Sequence, residues 1–233
     1  MESEAVRKSA GEKGKNLMVK IKICGLKTME DIRMVNRQKP DFAGFVFAGS
    51  KRRITPEQAA EMKKELLPEI RSVGVFVNED PERIAGLAES GVLDYIQLHG
   101  DEDGEEIRWI KDRTGKPVIK AVRVRSREDI LQAEKLSCEY LLLDAYKAGE
   151  YGGSGECFCW EMIPELEKPF FLAGGLNAEN IAEALKTCRP WAVDVSSSVE
   201  TDGRKDEEKV RRFMRAVRLE KYAGERGFKY EQQ

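Results

Sequence analysis

The amino-acid sequence predicts an α/β protein built as a single (β/α)8 TIM barrel, with eight parallel strands inside and helices outside. Three observations support this fold. Short apolar runs without polar alternation occur eight times, as expected of parallel strands buried on both faces. A longer segment with a helical pattern follows each run. The chain of 233 residues is also close to the roughly 250 residues typical of this barrel.

The eight apolar runs are the predicted strands. They are Val19–Ile23, Phe42–Phe47, Val73–Val77, Tyr95–Leu98, Val118–Val122, Tyr140–Leu143, Phe170–Ala173 and Ala192–Val195. Eight parallel strands joined by right-handed crossovers can close into a barrel whose interior is filled by side chains. An open doubly wound sheet is the alternative. It usually has fewer strands, and a nucleotide-binding loop is expected after its first strand.

The segments between the runs begin with residues that favour helix N-termini. Thr28 can cap a helix with Asp31 as its capping-box partner, and Thr55 precedes a proline at the first helical position. A capping residue followed by an acidic first turn recurs at Asp80-Pro81-Glu82, Ser126-Arg127-Glu128-Asp129 and Asn177-Ala178-Glu179-Asn180. These signals place helices between the strands.

Composition changes at both ends of the chain. Residues 1–17 are polar and rich in Gly, Lys and Glu, and we expect a disordered extension there. The barrel is assigned to residues 18–220, and residues 221–233 are a polar tail after the last helix. No linker-like segment divides the barrel, so the sequence predicts one domain.

Charge and hydropathy argue against several classes of partner. The 40 Lys and Arg nearly balance the 42 Asp and Glu, so the net charge of -2 gives no bulk electrostatic case for a nucleic acid or an anionic membrane. No apolar run approaches the roughly 18 to 20 residues that cross a bilayer. The N-terminus lacks the apolar stretch of a secretory signal. We therefore expect a cytoplasmic protein that binds neither nucleic acid nor membrane.

The inventory of metal-binding side chains is small. The five cysteines are odd in number and irregularly spaced, and His99 is the single histidine. Cys157 and Cys159 form C-x-C rather than the C-x-x-C of many zinc sites. This pattern favours reduced thiols over a disulfide framework, and it predicts no metal site.

Active sites of this fold form at the carboxyl ends of the strands and in the loops that follow. Cys24 ends strand 1 beside Gly25, where its thiol can face the barrel mouth. Nearby cations or a helix N-terminus would lower the pKa of that thiol toward thiolate; the alternative is a small buried hydrophobe. Asp144 ends strand 6 after three leucines. It is either a helix cap or an acid facing the mouth, partly protonated beside an apolar wall.

Two segments favour phosphate binding. They contain Gly174 and Gly175 after strand 7, and Asp194, Ser196, Ser197 and Ser198 at the end of strand 8. Loops after strands 7 and 8 often form the phosphate site of this barrel, through backbone N–H groups and the N-terminus of a short helix. A pair of glycines alone can be only a turn. The serines after the next strand add hydroxyl donors and favour phosphate.

Two further side chains follow strands 2 and 4. Arg52 has the planar fork that grips a carboxylate, although a basic run is also typical of a solvated loop. His99 lies at the active end of its strand, although a lone histidine is more often structural. The glycine-rich segment Tyr151–Gly155 is a candidate lid after strand 6.

An ordered set of motifs resembles the phosphoribosylanthranilate isomerase family. The motifs are Lys22–Leu26, Gly44–Phe47 leading to Ser50–Arg52, Val73–Asn78, Gln97–Glu102, Leu142–Asp144, Gly152–Gly155, Gly174–Asn177 and Val193–Ser197. They run in order from about Val19 to Arg218. No single motif is decisive, but the ordered set is highly specific.

The resemblance implies an Amadori rearrangement of N-(5-phosphoribosyl)anthranilate to 1-(o-carboxyphenylamino)-1-deoxyribulose 5-phosphate, in tryptophan biosynthesis. By analogy, Asp144 is the general acid that opens the furanose ring and Cys24 is the general base that removes the C2′ proton. Arg52 matches the family arginine that holds the anthranilate carboxylate. The implied chemistry needs no cofactor. The implied partners are this small-molecule substrate and, by association, other enzymes of the tryptophan pathway.

Three features depart from the family pattern. Ser198 stands where members commonly have Gly, and its Cβ could crowd a phosphate if that position needs a positive φ. Glu156 stands where many members have Lys, and the loop after Phe47 is slightly shorter. These departures concern phosphate and loop binding, and they leave Cys24 and Asp144 untouched.

Competing hypotheses come from two classes. The nearest is another phosphosugar isomerase or epimerase on the same fold. A single histidine argues against the metal-dependent epimerases, and Cys24 argues against the two-aspartate pattern of aminoimidazole-carboxamide ribotide isomerases. The other class is a barrel that only binds a phosphate metabolite or a partner enzyme, which the presence of both Cys24 and Asp144 disfavours.

Overall fold

The computed structural model describes residues 18–145 and 160–220, in which eight parallel strands form one closed barrel. The strands are β1 Lys20–Cys24, β2 Phe42–Val46, β3 Arg71–Phe76, β4 Tyr95–Leu98, β5 Val118–Val124, β6 Tyr140–Ala145, β7 Phe170–Leu172 and β8 Ala192–Val195. They pair in chain order, and β1 closes the barrel on β8. The predicted (β/α)8 fold is confirmed, and every predicted run overlaps its strand.

Seven α-helices lie in the described residues. They are α1 Met29–Gln38, α2 Pro56–Glu65, α3 Pro81–Glu89, α4 Gly104–Thr114, α5 Arg127–Glu134, α6 Ile181–Cys188 and α7 Glu207–Leu219. The connection from β6 to β7 differs from the predicted pattern, since its described part holds a single 3-10 helix, Trp160–Met162. The candidate lid Tyr151–Gly155, Glu156 and the predicted terminal extension and tail lie outside the described residues.

A small antiparallel hairpin that the sequence analysis did not predict follows β8. Its strands are β9 Glu200–Thr201 and β10 Arg204–Lys205. Strands of two residues are too short to leave a hydrophobic period in the sequence. The turn between them carries a usable signal, because Asp202 and Gly203 both adopt positive φ, at 51° and 72°. An Asp-Gly pair with this backbone is typical of a two-residue hairpin turn.

The predicted helix starts are confirmed at four helices. Thr28, Thr55 and Ser126 each accept a hydrogen bond from the backbone N–H three residues later. In each case the side chain at that later position accepts a hydrogen bond from the backbone N–H of the capping residue. Asp80 accepts from the backbone N–H of Glu82. Such a cap stabilises a protein by roughly 0.5–2 kcal/mol, and these four fix where the loops at the barrel mouth end.

The prediction that Asn177 caps the helix after β7 is wrong by three residues. Helix α6 begins at Ile181, and the side chain at its N-cap position, Asn180, makes no capping hydrogen bond. Asn177 Oδ1 instead accepts from the backbone N–H groups of Glu179 and Asn180, so it caps the turn before the helix. Asn180 in turn donates to the carbonyl of Gly175. Both asparagines therefore hold the loop that follows β7.

The inside of the barrel is aromatic at the amino ends of the strands. The rings that pack there are Phe42, Tyr95, Tyr140, Phe171 and Trp191. Their centroids lie 4.6 to 6.0 Å apart, mostly in edge-to-face or tilted arrangements that favour aromatic pairs. This cluster closes the floor of the barrel.

Polar side chains follow the rings toward the carboxyl ends of the same strands. Every second residue of a strand points to the same face, so Gln97 and His99 share the inward face with Tyr95. Asp144 and Asp194 follow inward-facing positions of β6 and β8 in the same way. The polar site therefore lies directly above the aromatic floor.

Phe171→Ala should lower the free energy of unfolding by about 3–5 kcal/mol, because it removes a fully buried ring and leaves a cavity. The control is Trp109→Ala, since the Trp109 ring is 38% exposed on α4; its loss should stay within about 1 kcal/mol. Urea denaturation followed by far-UV circular dichroism measures both variants. Equal losses would contradict a stabilising role for the aromatic floor.

Candidate active site

A cavity of about 330 Å³ opens at the carboxyl ends of the strands. All ten residues predicted for the site line it: Cys24, Arg52, His99, Asp144, Gly174, Gly175, Asp194, Ser196, Ser197 and Ser198. Val46, Val75 and Leu176 add apolar wall. Gln97 also lines the cavity, although the sequence analysis did not single it out as a site residue. The barrel thus brings residues from seven strands or their loops into one place.

Cys24 ends β1 and is buried against β2. Gly44 is paired with it across the two strands, and a Cβ on Gly44 would lie 2.7 Å from Cys24 Sγ. Glycine is therefore required there for the thiol to fit. Ser196 Oγ donates to the Cys24 carbonyl at 3.0 Å, which ties the end of β1 to the loop after β8.

A buried ion pair lies next to Cys24 on the inward face of β1. Lys22 is 0% exposed, and its Nζ donates to Asp194 Oδ1 at 3.0 Å. Burial is the largest single effect and lowers the pKa of Lys22, but Asp194 and Cys24 together outweigh it, and the net pKa lies above its ordinary value. The ammonium stays charged and occupies one oxygen of Asp194, a residue predicted to bind substrate. Lys22 was not among the predicted site residues, although a lysine between two isoleucines of an apolar strand could have indicated it.

Opposing effects act on the Cys24 thiol. Burial raises its pKa, whereas Lys22 and Lys205 lower it. The two cations act in the expected direction, but burial is the larger effect, so the net pKa lies above its ordinary value. At neutral pH the group is mainly a thiol, and its small thiolate fraction is a strong base.

Asp144 faces the cavity from β6 beside the single histidine. Its carboxyl is buried, and Oδ2 lies 3.4 Å from His99 Nε2. The other ring nitrogen, Nδ1, lies 2.9 Å from Gln97 Nε2. This position favours an acid at the barrel mouth over a helix cap.

Arg52 reaches the cavity from the loop between β2 and α2, but its guanidinium already holds a carboxylate. Its Nε and Nη2 donate to the two oxygens of Glu200 at 2.8 and 2.9 Å, and Lys205 Nζ adds a bond of 2.6 Å. Burial raises the pKa of Glu200, yet Arg52 and Lys205 outweigh it and lower the value to about 2. Gly25 leaves room for this arrangement, because a Cβ there would lie 2.5 Å from Arg52 Cδ. Glu200 and Lys205 belong to the hairpin that the sequence analysis missed.

The two loops predicted to bind phosphate both border the cavity. Gly174 and Gly175 adopt φ of 83° and 66°, a backbone that favours glycine. Ser198 lies in the 3-10 helix Ser197–Val199 without a positive φ, so its departure from the family pattern carries no backbone strain. Lys205 Nζ donates to the Ser196 carbonyl at 3.0 Å and holds the end of β8.

Neither a metal-binding cluster nor a membrane-spanning helix is found in residues 18–145 and 160–220. No group of three or more His, Cys, Asp or Glu side chains there is arranged to hold a metal ion. Within the same ranges, the helices fall short of the length and hydropathy that crossing a membrane requires.

Comparison with known proteins decides the family. A family model described as N-(5′-phosphoribosyl)anthranilate isomerase matches residues 21–216. The chain belongs to this family. Among phosphoribosylanthranilate isomerases, the protein from Endomicrobium trichonymphae is 49% identical over 201 residues, which cover 86% of this chain and 99% of the relative. The protein from Lachnoclostridium phytofermentans is 46% identical over 212 residues, covering 85% and 97%.

Solved structures of phosphoribosylanthranilate isomerases have the same fold. The enzyme from Thermotoga maritima superposes with a TM-score of 0.76 at 38% identity, covering 86% of this chain and 98% of that one. A second structure, with a TM-score of 0.72 at 37% identity and the same coverage, is a complex with reduced 1-(o-carboxyphenylamino)-1-deoxyribulose 5-phosphate. The family predicted from the ordered motifs is confirmed.

Alkylation of Cys24 by iodoacetamide should keep accelerating from neutral pH to beyond 9.0, the ordinary pKa of a thiol, because burial raises the pKa of this group. Mass spectrometry of the Cys24 peptide follows the modified fraction. Cys138 is buried outside the cavity and is the internal control, which should react far more slowly at every pH. A Cys24 rate that levels off below about pH 8 would mean that the cations outweigh burial.

Proposed function

We propose that this chain catalyses the Amadori rearrangement of N-(5-phosphoribosyl)anthranilate to 1-(o-carboxyphenylamino)-1-deoxyribulose 5-phosphate in tryptophan biosynthesis. One observation carries the proposal. The thiol of Cys24 and the carboxyl of Asp144 come from different strands and line a single cavity with Arg52 and the two loops predicted to bind phosphate. The relatives bear the name of this activity, and one solved relative binds the reduced form of the product.

Asp144 supplies the proton for ring opening. The protonated carboxyl gives its proton to the ring oxygen of the ribose, and the bond from C1′ to that oxygen breaks. The lone pair of the anthranilate nitrogen forms the C1′=N bond of a Schiff base. Acid catalysis of this kind contributes roughly 10²–10⁴-fold to the rate.

Cys24 removes the C2′ proton of the Schiff base. The electrons of the broken C–H bond form a C1′=C2′ double bond, and the C1′=N pair returns to nitrogen. The resulting enolamine tautomerises to the ketone. Lys22 and Lys205 favour the thiolate that this step needs, and burial makes that thiolate a stronger base.

Different residues bind the two charged ends of the substrate. Arg52 Nη1 has no acceptor among the described residues, whereas Nε and Nη2 are held by Glu200. Nη1 therefore offers two N–H donors for the anthranilate carboxylate. At the other end, Gly174 and Gly175 let the backbone approach a phosphate, and the serines after β8 add hydroxyl donors.

Steady-state turnover tests the proposal. Phosphoribosylanthranilate is made in situ, and its consumption is followed by the loss of anthranilate-type fluorescence with EDTA present. The wild type should turn over, and Cys24→Ala and Asp144→Asn should each lower kcat at least about a hundredfold, because each removes a group that acts in the transition state.

Cys138→Ala is the matched control for the cysteine variant, since Cys138 lies outside the cavity, and it should retain turnover. Circular dichroism verifies that each variant is folded. A folded wild type that binds the reduced product but converts no substrate would contradict the proposal and favour a barrel that only binds a phosphate metabolite.

Arg52→Lys should raise KM at least about tenfold with a smaller effect on kcat, because lysine cannot use one planar group to bind both Glu200 and a substrate carboxylate. The control is Arg53→Lys, on an exposed neighbouring residue that does not line the cavity. The same fluorescence assay gives both constants. An equal change of KM in the two variants would remove Arg52 from carboxylate binding.

A further inference from the structure

Two buried polar atoms of residues that line the cavity have no hydrogen-bond partner among the described residues. They are Gln97 Oε1 and His99 Nε2. Both side chains line the cavity, and Gln97 is only 1% exposed. Because an unpaired buried polar atom usually costs stability, such atoms at a cavity wall point to a role in the site.

The three side chains form a continuous line from β4 to β6. Gln97 Nε2 lies 2.9 Å from His99 Nδ1, and His99 Nε2 lies 3.4 Å from Asp144 Oδ2. The second contact is not aligned as a hydrogen bond, which is common for catalytic contacts before a substrate binds. Gln97 therefore reaches Asp144 only through the histidine ring.

The amide of Gln97 determines which ring nitrogen carries the proton. An amide nitrogen donates and cannot accept, so Gln97 Nε2 requires a lone pair on His99 Nδ1. A neutral imidazole with that lone pair carries its proton on Nε2, toward Asp144. The opposite amide orientation would leave both N–H donors of Gln97 buried without an acceptor. The observed orientation leaves Oε1 and one of the two N–H donors without a partner among the described residues.

Backbone contacts of His99 and of the loop after it fix the position of the ring, independently of Gln97. His99 N donates to the Phe76 carbonyl at 2.8 Å. Lys120 Nζ donates to the Gly100 carbonyl at 2.8 Å and to Glu102 at 2.6 Å, so a buried ion pair holds this loop. These contacts place the ring but leave its protonation to Gln97.

We propose that Gln97 is a positioning residue that holds His99 as the Nε2–H tautomer, with that proton directed at the Asp144 carboxyl. The inference rests on the proposed function. Once Asp144 has given its proton to the ring oxygen, the Nε2–H group donates a hydrogen bond to the carboxylate that remains. The ring thus supports the acid in the state that ring opening produces.

The tautomer can be observed directly, because His99 is the single histidine of the chain. Long-range ¹H–¹⁵N correlation spectra of the full chain labelled with ¹⁵N-histidine, at about pH 8 where a free imidazole is neutral, show which nitrogen is protonated. The wild type should carry its proton on Nε2. Gln97→Met keeps the size but removes the donor, and it should show both tautomers. Gln97→Glu offers an acceptor and should put a proton on Nδ1.

Kinetics separate this role from a merely structural one. Gln97→Met should lower kcat about tenfold with KM nearly unchanged, and Gln97→Glu should lower it further, since the lost interaction acts after the substrate is bound. The control is Gln132→Met, at an exposed position of α5, which should change neither kcat nor the tautomer.

The outcomes of these experiments test the role of Gln97 separately from the proposed reaction. A wild-type ring protonated on Nδ1 overturns the inference, as does a Gln97→Met variant with a single Nε2–H tautomer and wild-type kcat. If Gln97→Met does not fold, the wild-type spectrum and Gln97→Glu still decide. A wild type with the expected tautomer but no turnover supports the pairing of Gln97 with His99 and removes the proposed reaction.

Discussion

The charge compensation between Lys22 and Asp194 is the constraint on which the upper half of the barrel depends. A fully buried ammonium needs a carboxylate within hydrogen-bond reach, and the register of β1 on β8 places Asp194 opposite Lys22. The same register closes the barrel. It also brings together the positions two residues further along, where Ser196 donates to the Cys24 carbonyl. One ion pair therefore links closure of the fold to the position of Cys24, the proposed base.

The proposed acid and the proposed base receive their environments from different parts of the chain. Cys24 lies near Lys22 and Lys205, while Asp144 lies beside a histidine ring held by β4. The two groups therefore have separate neighbours within one cavity. The hairpin after β8 completes the site, since its Glu200 holds Arg52 in a fixed plane.

How far the sequence predicts this structure depends on the range of each interaction. Strands buried on both faces leave continuous apolar runs, and a cap such as Thr28 acts within one helical turn, so both are visible locally. The ten predicted site residues line one cavity because the barrel brings the carboxyl ends of its strands together. The roles of Lys22 and Glu200 were not found, because their partners lie far away in the chain. The direction of the Cys24 pKa shift was not predicted either, because it depends on burial that only the folded barrel defines.

The most direct test of this dependence is a double-mutant cycle on the buried pair, measured as the free energy of unfolding in urea. Lys22→Met should lower the free energy of unfolding by about 3–5 kcal/mol, because it removes the counter-charge of the largely buried Asp194 carboxyl, whose pKa burial already raises. The double variant Lys22→Met with Asp194→Asn should recover most of that loss, since no charge is then left uncompensated. A double variant as unstable as the sum of its single changes would contradict the central role of the pair.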